Sequence, residues 1–278
     1  MVDFAKKLKA GQQQELSAPP IGWQLVDQPS YHRMFAATSG RERTGKTDFA
    51  LQLPKPLAYI PLDRRRVQGR DPERMFPAGV VEPINPDNPD LAPFRFDPRY
   101  PAEDQVKNIW PRVEDKILSA IEDRYFRSLV IDTGTALWEM VRLFKLGKLA
   151  QVMPERYMDA NMLFRSIIEA IEDRADLNCI ITHKVKKEYV ERGGGRGNWN
   201  GEYEQTGFND IGFMVNHQLK HTRVTNDNGD TMYALEVIDS TNTSAVGTVW
   251  NEAVDEIPIT LSAVAQKLLP GSKAKDWA

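Results

Sequence analysis

Short apolar runs alternate along the chain with longer segments whose apolar residues recur at helical spacing. The runs have the length and the aromatic or β-branched character of buried strands, and they cover residues 32–39, 56–63, 128–132 and 177–185. Helical patterns follow the first run at 46–53 and occupy most of the chain between 103 and 175. This alternation predicts an α/β fold with a mostly parallel central sheet flanked by helices.

A different pattern closes the chain. Residues 217–225 and 231–240 read as two strands joined by the turn sequence NDNGD, which predicts a C-terminal antiparallel hairpin. From residue 251 onward the pattern is helical again. The predicted organisation is therefore an N-terminal arm (1–20), a main domain (21–250) and a C-terminal helical tail (251–278).

Proline interrupts the main domain. Eight of the 18 prolines lie between residues 71 and 101, a density that excludes regular helix or a central strand and predicts an inserted surface segment. Beyond it, apolar positions from Val106 to Ile121 follow helical spacing. Pro111 lies among them, so we expect it either to kink this helix or to begin its second half.

Composition indicates where in the cell the protein acts but does not indicate its chemistry. The 36 basic and 39 acidic residues leave a formal net charge of −3, so a nucleic-acid partner has to be met by a local patch. The single cysteine, Cys179, has no partner for an internal disulfide. No secretory signal and no membrane-length apolar run are visible, and together these features predict a soluble, cytoplasmic protein.

The most specific motif is the segment GRERTGKT, residues 40–47, here called the glycine loop. It matches G-x-x-x-x-G-K-[ST] between a predicted strand and a predicted helix. In such a loop backbone N–H groups surround phosphates, the lysine reaches the β- and γ-phosphates, and the hydroxyl binds Mg²⁺. The alternative is a loop of the same letters without a ligand. The predicted nucleotide-binding residues are Gly40, Arg41, Glu42, Arg43, Thr44, Gly45, Lys46, Thr47 and Asp48.

Two acidic residues follow apolar runs and are candidates for the chemistry of hydrolysis. Asp132 ends the run SLVID, where a nucleotide-hydrolysing enzyme needs a carboxylate for Mg²⁺ beside Thr47. A helix cap is the alternative role for Asp132. Asp63 ends the run AYIPLD and is the candidate to orient the attacking water; its alternative is an ion pair with the neighbouring run of arginines, 64–66.

From about residue 32 to 245 the order of these pieces resembles the RecA-like ATPases, in particular compact recombination ATPases encoded by phages. The resemblance implies ATP and Mg²⁺ as ligands, with Lys46 and Asp63 in catalysis and Thr47 and Asp132 at the metal. The family usually has Glu at the position of Asp63 and Gln at the position of His183. The resemblance gives His183 the role of sensing the γ-phosphate; a histidine at the core edge, bonded to a carbonyl, is the alternative.

In that family, the segment after the sensing residue binds single-stranded DNA, and here it spans 186–210. Between 184 and 200 five basic side chains stand against two acidic ones, and glycines and aromatic residues are interspersed. Arginines suit phosphates, and aromatic rings suit stacking on bases of any sequence. A surface loop with incidental aromatics is the alternative. The predicted DNA-binding residues are Lys186, Lys187, Arg192, Arg196, Trp199 and Tyr203.

These expectations define an ATPase that binds single-stranded DNA in phage-type recombination, annealing or replication, and that assembles with itself into a ring or filament, with replication or recombination proteins as further partners. One departure concerns assembly: the late strand that carries basic residues in the family has none in LEVIDSTNT, 235–243. Three other functions remain open: a helicase loader or motor acting on a protein, a small-molecule kinase, and a DNA-binding protein with a residual nucleotide site.

Overall fold

The computed structural model describes residues 33–62, 77–83, 94, 96–147, 157–190 and 198–277. For residues 190, 198 and 199 only the backbone is described. All these residues belong to one compact unit, His32–Ala278. The predicted arm 1–20 and the predicted site residues Asp63, Arg192 and Arg196 lie outside the described ranges, so their assignments stay predictions.

Ten strands and seven α-helices are described. The strands are β1 (Phe35–Gly40), β2 (Leu57–Pro61), β3 (Val80–Val81), β4 (Ser128–Asp132), β5 (Asn178–His183), β6 (Val185–Val190), β7 (Asn198–Gln205), β8 (His217–Thr225), β9 (Thr231–Ser240) and β10 (Val249–Asn251). The helices are α1 (Lys46–Ala50), α2 (Ala102–Glu122), α3 (Gly134–Leu146), α4 (Tyr157–Asp173), α5 (Ile211–Met214), α6 (Glu252–Asp255) and α7 (Leu261–Leu268). Within these ranges, none of the helices has the length and apolar character needed to cross a membrane.

Eight of the strands form one sheet, in the order β10-β9-β8-β1-β5-β4-β2-β3. The pairs from β8 through β1, β5, β4 and β2 to β3 are parallel, whereas β8–β9 and β9–β10 are antiparallel. The predicted α/β fold, with its mostly parallel sheet and C-terminal antiparallel hairpin, is confirmed.

Both faces of this sheet are covered, which explains why its central strands are apolar throughout. Alternate residues of a strand point to opposite faces. Phe35 and Ala37 of β1 pack in a core with α2, α3 and α4, whereas Met34 and Ala36 pack in a second core with α1 and α7. The cores continue through β4 and β5, so the sheet holds the helices of both layers in place.

Helix α2 continues through Pro111 for 21 residues, so Pro111 does not begin a second helix. One segment differs from the sequence prediction. The predicted DNA-binding segment, 186–210, includes β7 and all but the first residue of β6, and these strands pair with each other as a separate two-stranded sheet. Its polar composition hid the strands, because neither has the apolar alternation of a strand on a core.

The parallel strands bring three predicted site residues to one edge. Gly40, Asp132 and His183 are the last residues of β1, β4 and β5, and β5 lies between β1 and β4. The carboxyl ends of parallel strands meet at the same edge of a sheet, where open α/β sheets bind their ligands. The candidate site is therefore built at the carboxyl edge of the three central strands.

The buried side chain of Arg174 ties the helical layer together and carries a stability prediction. Its guanidinium donates hydrogen bonds to the carbonyl oxygens of Ala120 (3.1 Å), Ile121 (2.6 Å), Asp123 (2.8 Å) and Phe126 (2.6 Å). The first two belong to the last turn of α2. Because Arg174→Ala leaves several buried carbonyls without donors, we expect it to lower the free energy of unfolding by about 2–3 kcal/mol in urea titrations.

Arg124→Ala is the matched control. Its side chain is 74% exposed and bonds Asp176 at the surface, so its removal should change the free energy of unfolding by less than about 0.5 kcal/mol. Equal effects of the two substitutions would contradict the structural role assigned to Arg174.

Candidate nucleotide and DNA site

The glycine loop joins the end of β1 to the start of α1. Arg43 (φ 60°) and Gly45 (φ 82°) both have left-handed backbone conformations. Such residues turn successive N–H groups toward one side and form a concavity that binds anions. Helix α1 begins directly after Gly45, with Lys46 as its first residue. The backbone of the loop therefore has the curvature that a phosphate site requires.

Strand β8 lies close against this loop. Gly40 pairs with His221 of β8, and a Cβ at position 40 would lie 2.6 Å from the carbonyl oxygen of His221 and 2.7 Å from Oγ1 of Thr44. These distances are too short for any side chain, so glycine is required here by packing. The sequence alone did not point to His221, because nothing local to GRERTGKT reveals which strand pairs with β1.

Lys46 extends back across the loop that precedes it. Its Nζ donates to the carbonyl oxygens of Gly40 (2.8 Å) and Arg41 (2.6 Å), with Oγ1 of Thr44 at 3.3 Å. The ammonium group is therefore held over the mouth of the glycine loop. A positive charge in that position complements an anion bound by the backbone N–H groups.

Asp132 receives hydrogen bonds from three separate elements. Its Oδ2 accepts from Oγ1 of Thr47 on α1 (3.0 Å) and from the hydroxyl of Tyr59 on β2 (2.9 Å). Its Oδ1 accepts from Oγ1 of Thr182 on β5. The structure thus brings together Thr47 and Asp132, the two residues predicted to hold Mg²⁺, and adds Tyr59 and Thr182 as positioning residues.

This donor set suits Mg²⁺ in its composition. Mg²⁺ is commonly bound in phosphate-transferring sites by one or two carboxylates together with substrate phosphates, because it retains much of its hydration shell. Asp132 supplies the carboxylate, and Thr47 supplies a hydroxyl next to the glycine loop. Within the described ranges, no cluster of three or more His, Cys, Asp or Glu side chains forms an all-protein metal site.

Asp63, the predicted catalytic acid, lies outside the described residues. The chain just before it lies next to Asp132, which with Thr47 forms the metal-site candidate. Leu62, the residue before it, donates its backbone N–H to the carbonyl oxygen of Asp132 at 2.6 Å. The role of Asp63 stays a prediction.

His183 is fully buried at the end of β5. Its Nδ1 lies 3.2 Å from the carbonyl oxygen of Thr206, so this nitrogen carries the proton and donates. A Cβ on Gly134 would lie 2.7 Å from its Cε1, which shows how closely the first turn of α3 covers the ring. Burial lowers the pKa of His183 to about 4, so the imidazole is neutral at pH 7.

The contacts of His183 connect the metal-site candidate to the β6–β7 hairpin. Thr182, the preceding residue, bonds Asp132, and Thr206 directly follows β7. The backbone N–H of Thr206 donates to the carbonyl oxygen of Lys184, just before β6. The carbonyl oxygen of Thr206 also accepts a hydrogen bond from Oγ1 of Thr135 on α3, at 3.0 Å. His183 therefore lies between Asp132 and the base of the hairpin, without exposure to solvent.

The hairpin carries three of the predicted DNA-binding residues in described positions. Lys186 and Lys187 of β6 are exposed, and Lys187 is the cross-strand partner of Tyr203 on β7. Lys186 pairs with Glu204 at 3.0 Å. The backbone of Trp199 pairs with Tyr189. The surface thus combines cationic and aromatic groups, and one of its two lysines, Lys186, has an acidic partner.

The hairpin also contacts the glycine loop directly. The guanidinium carbon of Arg41 lies 5.1 Å from the centre of the Tyr203 ring, a cation–π contact. Lys220 of β8 lies 3.4 Å from a carboxylate oxygen of Glu202 on β7. These contacts place a candidate DNA-binding aromatic residue next to a residue of the candidate phosphate loop, an arrangement that sequence spacing did not predict.

No protein-family model matches the chain, and no curated protein matches it. The function proposed below is therefore inferred from the geometry of the site.

Proposed function

We propose that the protein binds and hydrolyses ATP with Mg²⁺ and binds single-stranded DNA, as a RecA-like ATPase of phage-type recombination, annealing or replication. The observation that carries this proposal is the contact between Thr47 and Asp132, at 3.0 Å. The two residues are 85 positions apart in sequence, and they meet beside a glycine loop whose lysine extends back across the loop to the carbonyl oxygen of Gly40.

Different residues of the site would hold the phosphates and the metal ion. The N–H groups of the glycine loop and the ammonium group of Lys46 would hold phosphates, and Thr47 and Asp132 would hold Mg²⁺. Mg²⁺ held there would neutralise the charge that develops on the phosphates during hydrolysis. Tyr59 and Thr182 fix the carboxylate of Asp132 by their hydrogen bonds. Asp63 is the proposed residue for aligning water.

Two chains of contacts support coupling between the nucleotide and the DNA. One runs from Asp132 through Thr182 and His183 to Thr206 at the base of the hairpin. The other is the stacking of Arg41 on Tyr203. Through these contacts a change at the phosphates would reach the hairpin, so hydrolysis would switch the affinity for DNA.

Tyr203 gives the DNA-binding part of the proposal a direct test. We expect Tyr203→Ala to weaken binding of a fluorescent oligothymidine about 10-fold in anisotropy titrations with Mg²⁺ and ATP, because base–aromatic stacking contributes about 1–3 kcal/mol per base. Tyr125→Ala is the matched control, since Tyr125 is an exposed tyrosine between α2 and β4, away from the hairpin.

Unchanged affinity in Tyr203→Ala would remove the hairpin from the DNA-binding surface. Hydrolysis of ATP by a protein that binds no DNA would instead favour the loader or kinase alternatives.

A further inference from the structure

A cleft of about 590 Å³ opens beside the glycine loop. Thr44 and Gly45 line it, together with Asp48 of α1 and Gln52, which lies just beyond the end of α1. Thr47 is not among the lining residues, and its hydroxyl bonds Asp132 instead. The cleft is thus continuous with the glycine loop and has the volume of a small-molecule site.

Segments distant in sequence form the other walls. Tyr233 of β9 lies against the loop, with its ring 3.8 Å from a Cβ position on Gly45. Trp277 contributes from the 3₁₀ turn Ala274–Trp277, near the end of the chain. The oxygens of Glu252 accept the backbone N–H groups of Tyr233 (3.1 Å) and Ile259 (2.9 Å), which fixes both segments beside the cleft.

Two residues that line the cleft each have a buried polar atom with no hydrogen-bond partner among the described residues. These atoms are Nε1 of Trp277, in a residue 6% exposed, and Nε2 of His221, in a residue 3% exposed. A buried polar group without a partner costs about 1–3 kcal/mol, so such groups are rare in folded proteins. A ligand in the cleft that presents polar edges is a candidate partner for both atoms.

The charges around the cleft favour an uncharged chemical group in it over a phosphate group. Asp48 and Glu252 contribute carboxylates. The ammonium group of Lys55 donates to the carbonyl oxygens of Leu51 (2.6 Å) and Leu53, beyond the end of α1. Burial, together with the charge of Lys46, lowers the pKa of His221 to about 3, so its ring is neutral. What fits is an uncharged, partly aromatic group with hydrogen-bonding edges.

We propose that this cleft binds the nucleoside of a purine nucleotide whose phosphates lie in the glycine loop. Trp277 is the residue that determines affinity for the base: its Nε1–H donates to a ring nitrogen, an acceptor that purines present on both rings. The proposal rests on the proposed nucleotide binding. It adds that the last turn of the chain forms part of the nucleotide site.

Two ligands distinguish the contribution of the base to binding from that of the phosphates. Mg²⁺–ATP has both, whereas Mg²⁺–tripolyphosphate has the phosphates alone. We expect Trp277→Phe, measured by calorimetry on the full chain, to weaken ATP binding about tenfold and to leave tripolyphosphate binding unchanged. Phenylalanine keeps an aromatic ring and removes the N–H. Trp250→Phe in β10 is the matched control, since Trp250 packs on the same core without lining the cleft; it should change neither affinity.

Each outcome has a distinct meaning. Tripolyphosphate binding by Trp277→Phe reports an intact glycine loop and hence a folded variant. Unchanged ATP affinity, or equal losses for both ligands, would overturn the role of Trp277 while leaving nucleotide binding in place. Failure of the wild-type protein to bind either ligand would instead overturn the proposed function, and this inference with it.

Discussion

Replacing Lys46 with alanine is expected to lower the rate of ATP hydrolysis by about 10²–10³-fold, the cost of removing one preorganised group that stabilises charge in a transition state. The ammonium group of Lys46 is held across the glycine loop by the carbonyl oxygens of Gly40 and Arg41. Without it, the phosphates lose the cation that faces them. Steady-state release of phosphate, measured at saturating Mg²⁺, tests this expectation.

Lys267→Ala supplies the control for the Lys46 variant. Lys267 is an exposed lysine in the last turn of α7, so its replacement removes the same charge away from the loop. It should hydrolyse ATP at the wild-type rate. Wild-type hydrolysis by Lys46→Ala as well would mean that the glycine loop is not the nucleotide site.

Replacing Asp132 with asparagine is expected to raise the Mg²⁺ concentration for half-maximal hydrolysis by at least about 10-fold. Changes in residues that merely support metal ligands already cost 10–100-fold in metal affinity or activity. The substitution keeps the shape of the side chain and removes its charge. Thr47, Tyr59 and Thr182 then donate to a group with one good acceptor oxygen in place of two. Titration of hydrolysis with Mg²⁺ measures the shift.

Tyr59→Phe distinguishes the metal role of Asp132 from its part in the hydrogen-bond network. It removes one of the three donors to Asp132 and leaves the carboxylate in place, so its effect on the Mg²⁺ requirement should be smaller than that of Asp132→Asn. Equal Mg²⁺ requirements in wild type and Asp132→Asn would make Asp132 a structural residue.

The parts of the site that sequence could predict are local. GRERTGKT is contiguous, and Lys46 bonds the carbonyl oxygens of Gly40 and Arg41 within the same segment. Asp132 was predictable because an acid at the end of an apolar strand lies at the carboxyl edge of a parallel sheet. The apolar strands themselves were visible because both faces of the sheet are buried.

The parts that sequence could not predict depend on strand order. Tyr59 and Thr182 reach Asp132 because β2 and β5 are the two neighbours of β4, and His221 reaches the glycine loop because β8 is next to β1. No local pattern encodes those neighbours. The β6–β7 hairpin escaped prediction because its strands pair outside the main sheet.

ATP hydrolysis by the purified full chain, measured without DNA, with single-stranded DNA and with duplex DNA of the same length, tests the proposed function directly. The proposed function predicts hydrolysis that depends on Lys46 and that single-stranded DNA stimulates several-fold more than duplex does. Hydrolysis at one rate under all three conditions would contradict it.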